Sequence, residues 1–496
     1  MVLEVSGGRI AGRREQGVSV FKGIPYAAPP TGQRRWLPPQ AVEPWVGVRP
    51  AEEYGPSCPQ PAERPAGWSQ ETASAEDCLV LNVWTPAPDD RRRPVMVWYH
   101  GGGYAIGSGS WPLYDGTALA RRGDVVVVTV NHRLGVLGYL HLAVVGGDDY
   151  ATSGNAGMLD LVASLEWVQD NIAAFGGDPA NVTVFGESGG GAKVSVLHVM
   201  PAARGLFHRA VIQSGPSLRV QGPEQAAAQT ERLLDALGIP GDSSALERLR
   251  DLPVEDLLAA QRKAAPRPGG DGGGVMGGFA PVLDGVSVVQ HPGKAMAEGS
   301  AIDVPLLIGR NRDEGTMALA SDPVLSDPSQ LDEEGLRQRL SGFGERADEL
   351  VAGYRGAYPD ADLLDLLIAI RSDAFMGFGT ARLAELRLAG GRQPVFMYRF
   401  DWASGPLRAA HGYEIAFVFD NVRPPVMQPS ASRSTLAERM SEAWLSFARH
   451  GDPNHPGLPK WPSYSLDERA TMIFDRGDCV VKRDPFDAVR HLWGNR

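Results

Sequence analysis

A serine that lies between glycines, directly after an apolar run, is the feature that most constrains this chain. Residues 181–184 are predicted to form a buried strand, and residues 185–190 read Phe-Gly-Glu-Ser-Gly-Gly. A serine nucleophile must project from a sharp, strained bend between a strand and a helix, so glycine is needed at Gly186 and Gly190 to avoid collisions. The following helix points its N-terminal amides at the group under attack. We therefore expect a strand–turn–helix that presents Ser188 as a nucleophile; the alternative is an ordinary tight turn.

A second glycine-rich loop follows an upstream strand. Residues 94–99 are predicted to be a buried strand, and His-Gly-Gly-Gly occupies residues 100–103, here called the triglycine loop. Three glycines let bare backbone approach a carbonyl oxygen, as in loops that supply N–H groups to an oxyanion hole. We expect donors from Gly102, Gly103 and Gly189, and such donors typically contribute about 3 kcal/mol each. The alternative is a flexible surface loop.

A serine nucleophile needs a histidine base and an acid that orients the base. In hydrolases with this turn the acid precedes the histidine along the chain. His411 follows the predicted strand 395–398, and Asp313 and Glu314 follow the predicted strand 304–309. The residues alone leave both acids open. Four other downstream histidines fit less well, because they lie too close to the serine, in a surface loop or at a helix C-terminus: His198, His208, His291 and His450.

Along most of its length the chain resembles the type-B carboxylesterase/cholinesterase family of α/β-hydrolases, and within it the bacterial p-nitrobenzyl-esterase type. The resemblance implies an α/β fold with a central, mostly parallel sheet flanked by helices around an active-site gorge. It also implies a catalytic triad of Ser188, Glu314 and His411, which makes Asp313 a structural neighbour. The family usually has alanine at the position of Gly189; since the donor there is a backbone N–H, the chemistry should survive. The matching stretches are residues 21–27, 76–83, 101–103, 131–135, 155–160, 175–179, 185–190, 313–315 and 411–415.

The function implied is a serine carboxylic ester hydrolase of broad range, acting on short- to medium-chain or aromatic esters through an acyl-enzyme. Its partners would be a small-molecule ester and water. The sequence contains no zinc-type Cys/His spacing, Walker loop or dinucleotide fingerprint, so we expect no metal and no cofactor. One alternative is an esterase that prefers choline esters. Another is a non-catalytic adhesion protein of the same family, although such proteins typically lose the nucleophile and carry signal and membrane segments.

The resemblance also suggests residues of the substrate pocket. In cholinesterases a tryptophan at the position of Trp68 faces the choline head group by cation–π contact, and Glu187 could add negative charge. The alternative is a loop tryptophan that covers the entrance. The glycine-rich stretch 269–278 replaces bulky aromatics of cholinesterases with small residues such as Val275 and Gly277. This predicts a roomy acyl pocket, unless the stretch is only a surface loop.

Two of the three cysteines match a family disulfide position. By that resemblance Cys58 and Cys78 would close the loop that bears Trp68. A reducing cytoplasm would not assure this bond. Cys479 is then left over, and we expect a plain structural thiol there.

Length and charge bound the remaining possibilities. The 496 residues show no repeat or long polar linker, so we expect one α/β-hydrolase domain, 1–496, with helical insertions near 224–301 and 323–390. A net charge of -11 disfavours nucleic-acid binding. The chain has no apolar run of the roughly 18 residues that a membrane span needs. Its first residues resemble a β-strand and lack the pattern of a signal peptide, so we expect a cytoplasmic bacterial enzyme. Oligomeric state stays open.

Overall fold

The computed structural model describes residues 1–61, 73–265, 278–422 and 431–494. Their strands, in chain order, are β1 (Val2–Val5), β2 (Gly8–Ala11), β3 (Arg13–Glu15), β4 (Val18–Pro25), β5 (Val48–Pro50), β6 (Val80–Thr85), β7 (Arg93–Tyr99), β8 (Val126–Val130), β9 (Gly177–Glu187), β10 (Arg209–Gln213), β11 (Leu306–Asn311), β12 (Val395–Phe400), β13 (Ala470–Phe474) and β14 (Val480–Arg483).

Eleven of these strands form one sheet, in the order β14-β13-β12-β11-β10-β9-β7-β8-β6-β4-β3. The seven strands from β13 to β8 pair in parallel. The pairs at the two edges, β14 with β13 and β8-β6-β4-β3, are antiparallel. The predicted central, mostly parallel sheet is therefore confirmed. The predicted first strand is present as β1, and it pairs in a separate three-stranded sheet with β2 and β5.

The central strands are buried on both faces, which explains their continuous apolar sequences. In β7, Val95 and Val97 belong to one hydrophobic cluster, whereas Met96 and Trp98 belong to another. Because successive strand residues point to opposite faces, the two clusters cover the two sides of the sheet. Helices complete both layers.

The α-helices among the described residues are α1 (Thr117–Gly123), α2 (Gly135–Tyr139), α3 (Ala143–Gly146), α4 (Ala156–Asn171), α5 (Gly189–Leu197), α6 (Pro223–Leu237), α7 (Ala245–Asp251), α8 (Val254–Ala264), α9 (Pro292–Glu298), α10 (Glu333–Arg339), α11 (Arg346–Ala357), α12 (Leu363–Ser372), α13 (Phe378–Gly390), α14 (Ile415–Val418), α15 (Ala431–His450) and α16 (Asp487–Arg490). A π-helix, Asp373–Gly377, joins α12 to α13.

Two groups of helices interrupt the alternation of strand and helix. Helices α6 to α9 lie between β10 and β11, and α10 to α13 lie between β11 and β12. These are the regions in which insertions were expected near 224–301 and 323–390. The second group shares a separate hydrophobic cluster with the C-terminal segment; this cluster includes Leu336, Leu367 and Trp493. The assignment of the whole chain to a single domain stays a prediction.

The long helix α15 illustrates how apolar spacing determines packing. The sequence predicts an amphipathic helix over residues 434–450, and the structure has it at Ala431–His450. Met440, Trp444 and Phe447 recur at helical spacing and are fully buried in the cluster on one face of the sheet. This prediction is confirmed. Across the described ranges, no helix combines the length and the apolar character that crossing a membrane requires.

Candidate active site

Ser188 lies in the sharp turn between β9 and α5. Its φ of 55° and ψ of -121° are strained for a residue with a side chain. Its amide donates to the carbonyl oxygen of Gln213, at the end of the neighbouring strand β10, at 2.8 Å. A methyl group on Gly190 would overlap the carbonyl oxygen of Tyr99, and one on Gly186 would lie 2.6 Å from the carbonyl carbon of Gly190. Close packing against β7 therefore requires both glycines.

The triglycine loop contacts the start of α5 directly. Gly102 and Gly103 have φ angles of 88° and 61°, which favour glycine. A Cβ on Gly189 would lie 2.5 Å from the nitrogen of Gly103. Within the described part of the chain, the amides of Gly102, Gly103 and Gly189 donate to no protein acceptor. The structure thus brings together the three predicted donors and leaves their N–H groups available.

His411 lies in the loop after β12 and is hydrogen-bonded to Glu314. The two atoms, Nδ1 of His411 and Oε2 of Glu314, are 2.5 Å apart, and both side chains are buried. The other oxygen of Glu314 accepts from the hydroxyl of Ser214 at 2.6 Å and from the amide of Asn311 at 2.7 Å. Glu314 is therefore held in a fixed orientation toward the imidazole.

Asp313, the other candidate acid, points elsewhere. Its carboxylate accepts from Arg312 at 2.8 Å and from the amide of Ala409 at 3.0 Å. Its own amide donates to the carbonyl oxygen of Ala409 at 3.0 Å. Asp313 thus fastens the loop that carries His411, which is the contact expected of a structural neighbour.

The second nitrogen of His411 lies close to Glu187, the residue directly before the serine. Nε2 lies 3.2 Å from Oε1 of Glu187. Among the described residues Nε2 has no hydrogen-bond partner, and neither does either carboxyl oxygen of Glu187. Hydrogen bonds of catalytic groups are often long without substrate and tighten when it binds. Ser188 is half-buried and His411 is buried, and each follows a strand of the parallel part of the sheet.

Buried carboxyl groups set the electrostatics around the imidazole. Burial lowers the pKa of His411, but the carboxylates of Glu187 and Glu314 outweigh it and raise the pKa to about 9. Burial raises the pKa of Glu187 well above its usual range. Burial and the nearby Glu314 also raise the pKa of Glu414 to about 7. His411 therefore titrates as part of a cluster of acids.

Several predicted pocket residues lie outside the described ranges, namely Trp68, Val275 and Gly277. Cys58 and Cys78 are buried and carry free thiols. A hydrogen bond to Cys58, together with burial, raises the pKa of Cys78. The disulfide and the pocket roles stay predictions.

Three residues near the site carry little sequence signal. Phe375, on the π-helix, places its ring 5.0 Å from the ring of His411 and is 47 % exposed. Ser214 supports Glu314 and follows a strand end, a position that could have indicated it. Lys193 is fully buried on α5 beside the triglycine loop. Neither the π-helix nor a lysine inside a largely buried helix could be inferred from apolar spacing.

The arrangement has the parts that acyl transfer requires. A serine at a helix N-terminus, backbone donors opposite it and a histidine oriented by a carboxylate together suit nucleophilic attack on a carbonyl. In residues 1–61, 73–265, 278–422 and 431–494, no group of three His, Cys, Asp or Glu side chains is placed to hold a metal ion. The expectation that no metal is needed stays an expectation.

Comparison with known proteins agrees with this chemistry. The Carboxylesterase family profile matches residues 1–493. The para-nitrobenzyl esterase of Bacillus subtilis is 39% identical over 488 residues, covering 96% of this chain and 95% of that protein. The phenmedipham hydrolase of Pseudarthrobacter oxydans is 35% identical, with 97% of each chain covered. A solved carboxylesterase of Geobacillus stearothermophilus superposes with a TM-score of 0.86 at 43% identity over 99% of each chain, so the fold is that of an α/β-hydrolase. This chain belongs to the carboxylesterase family and is a carboxylic ester hydrolase.

Proposed function

We propose that this hydrolase cleaves short- to medium-chain or aromatic esters through an acyl-enzyme on Ser188, with His411 as base and Glu314 as its orienting acid. The observation that carries the proposal is the buried hydrogen bond between His411 and Glu314 beside the strained serine. The proposed reaction begins with attack by Ser188. It uses only groups of this chain, the ester and water.

In the first half-reaction the hydroxyl oxygen of Ser188 attacks the ester carbonyl, and its proton passes to Nε2 of His411. The carbonyl oxygen becomes an oxyanion held by the amides of Gly102, Gly103 and Gly189. When the intermediate collapses, the C–O bond to the alcohol breaks and His411 returns the proton to the departing oxygen. An acyl group is left on Ser188.

Water completes the second half-reaction. His411 takes a proton from water, which attacks the acyl carbonyl, and the same amides hold the second oxyanion. Collapse breaks the bond to Ser188 and returns the proton to the serine. Glu314 keeps the imidazole in the required tautomer and stabilises the imidazolium in both halves.

Two relatives support a substrate range that includes aromatic esters, since one is named for para-nitrobenzyl esters and the other for phenmedipham. The roomy acyl pocket at Val275 and Gly277 and the choline contact at Trp68 stay predictions. The serine and its histidine–acid pair argue against the adhesion alternative. A cytoplasmic location also stays a prediction, as does turnover of any particular physiological ester.

Four variants test the assignment. Ser188→Ala and His411→Ala should each lower kcat for p-nitrophenyl acetate by about 10⁴-fold or more, because the acting groups are gone. Glu314→Gln should leave a small residual activity, since the imidazole can still act while poorly oriented. Asp313→Asn is the matched control: it changes the adjacent acid, which contacts Ala409 and not His411, so its kcat should fall far less.

Extension of the assay to butyrate, octanoate and thiocholine esters ranks the substrates. We expect butyrate and octanoate to be hydrolysed at rates comparable to acetate, and acetylthiocholine no faster than an uncharged thioester of equal size. Near-native turnover by Ser188→Ala would refute the proposed function. Equal losses in Asp313→Asn and Glu314→Gln would refute the assignment of the acid.

A further inference from the structure

A lysine lies fully buried in α5, the helix that begins directly after the serine. Lys193 is on α5 and has 0 % of its surface exposed. Lysine is almost never fully buried unless its charge is partnered. Its ammonium donates to the carbonyl oxygens of His100 and Gly103, both at 2.9 Å. The two hydrogen bonds that compensate for burying the ammonium therefore both go to the ends of the triglycine loop.

All four carbonyl groups of that loop have a donor. The carbonyl oxygen of Gly101 lies 2.8 Å from Nδ1 of His100, and that of Gly102 accepts from the amide of Ile106 at 3.1 Å. Lys193 supplies the other two. A planar trans peptide points its C=O and the next N–H in opposite directions, so fixing the carbonyls fixes the amides. Lys193 thus holds the first and last peptides that bracket the amides of Gly102 and Gly103.

The same contact explains glycine at position 189. A Cβ on Gly189 would overlap the carbonyl oxygen of Gly103, the oxygen to which Lys193 donates. The loop can sit this close to α5 only if Gly189 has no side chain. An alanine at position 189 would not fit this arrangement, so Gly189 and Lys193 both depend on the position of the Gly103 carbonyl.

The surroundings of Lys193 do not disrupt this arrangement. The ammonium lies 5.7 Å from the centre of the Tyr104 ring. Burial lowers the pKa of Lys193 to about 7, although the charge of Glu187 raises it. Burial and the charge of Lys193 lower the pKa of both His100 and His132. A neutral amine would still have two N–H groups, so both hydrogen bonds persist in either protonation state.

We propose that Lys193 is a positioning residue that holds the triglycine loop in the geometry of an oxyanion hole, and that it does so as a unit with Gly189. The inference rests on the proposed function, because it assigns the loop amides to the reaction on Ser188. Lys193 touches the backbone of the loop and not the substrate. Its loss should therefore weaken transition-state binding more than ground-state binding.

The first test compares Lys193→Met with Val196→Ala, which removes buried volume from the same helix but leaves both Lys193 hydrogen bonds in place. Loss of an oxyanion donor costs about 100- to 1,000-fold in kcat, so loss of its support should cost about 10-fold or more. KM should change by less than about 3-fold. The inhibition constant of a trifluoromethyl ketone, whose serine adduct carries the oxyanion, should weaken in step with kcat. Val196→Ala should lower the melting temperature and leave kcat and inhibition near native.

A double variant tests the coupling to Gly189. Gly189→Ala alone should push the loop away and lower kcat. When Lys193→Met releases the loop as well, the added methyl has room, so the double variant should lose less than the product of the two single losses. If Lys193→Met does not fold, Lys193→Gln, which keeps N–H donors on a shorter side chain, should show an intermediate loss.

The outcomes separate the inference from the proposed function. Native kcat and native trifluoromethyl ketone inhibition in the Lys193 variants, with a Ser188-dependent native enzyme, would overturn the role of Lys193 alone. Strictly multiplicative losses in the double variant would overturn its coupling to Gly189. Turnover by the native enzyme that does not depend on Ser188 would instead refute the proposed function.

Discussion

At the residue scale, the two nitrogens of His411 have acids on both sides. Nδ1 contacts Glu314, and Nε2 lies 3.2 Å from Glu187. A carboxylate at Glu187 would stabilise a proton on Nε2, the nitrogen that in the proposed mechanism must be free to accept the proton of Ser188. Glu187 comes directly before the nucleophile, so this effect follows from the position of the turn on β9.

The charge of Glu187 predicts a shift in the pH profile of the enzyme. The proposed mechanism requires neutral His411, and a neighbouring carboxylate raises the pKa of that imidazole. Glu187→Gln should therefore lower the pKa, and the acid limb of kcat/KM should move to lower pH by about 1 unit. Profiles of kcat/KM from pH 5 to 10 would measure this. Glu52→Gln, an exposed acid removed with the same change in net charge, is the control and should not move the limb. An acid limb that stays fixed or moves to higher pH in Glu187→Gln would contradict this account.

At the element scale, the serine turn depends on the contact between α5 and the end of β7. Gly190 faces the carbonyl oxygen of Tyr99 with no space for a side chain. The same strand continues into the triglycine loop. One close backbone contact thus sets the position of both the nucleophile and the loop opposite it.

Gly190→Ala should separate α5 from β7. We expect a loss of more than about 2 kcal/mol in the free energy of unfolding, because the clash is with backbone that cannot move alone. Most esterase activity should be lost with it. Gly356→Ala is the matched control: Gly356 lies in α11 with open space around it, so alanine there should stabilise by about 0.5–1 kcal/mol. Urea unfolding and p-nitrophenyl acetate turnover would test both, and a Gly190→Ala enzyme of native stability would show that the packing is misjudged.

At the scale of the whole molecule, parallel strands bring distant residues to one edge of the sheet. Ser188, Glu314 and His411 follow β9, β11 and β12, and Ser214 follows β10 between them. Open α/β sheets generally bind their ligands at the carboxyl ends of parallel strands. The convergence of segments over 200 residues apart is thus a consequence of strand order.

Much of this could be predicted because apolar runs and glycines have strong physical causes. The strands before Ser188, the triglycine loop and His411 were each expected where β9, β7 and β12 lie. The residues alone could not choose between Asp313 and Glu314, because both follow the same strand and only the direction of each side chain separates them. Lys193 could not be predicted because a helix that is buried on nearly every side has no single apolar face from which a polar residue stands out.

Phosphonate labelling tests most directly whether Ser188 is the nucleophile. A p-nitrophenyl alkylphosphonate should release one nitrophenol per chain, inactivate in proportion, and leave its mass on the peptide that contains Ser188. The oxyanion hole and His411 favour this attack just as they favour attack on an ester. Full activity after complete labelling, or an adduct on any other residue that accounts for the inactivation, would contradict the account.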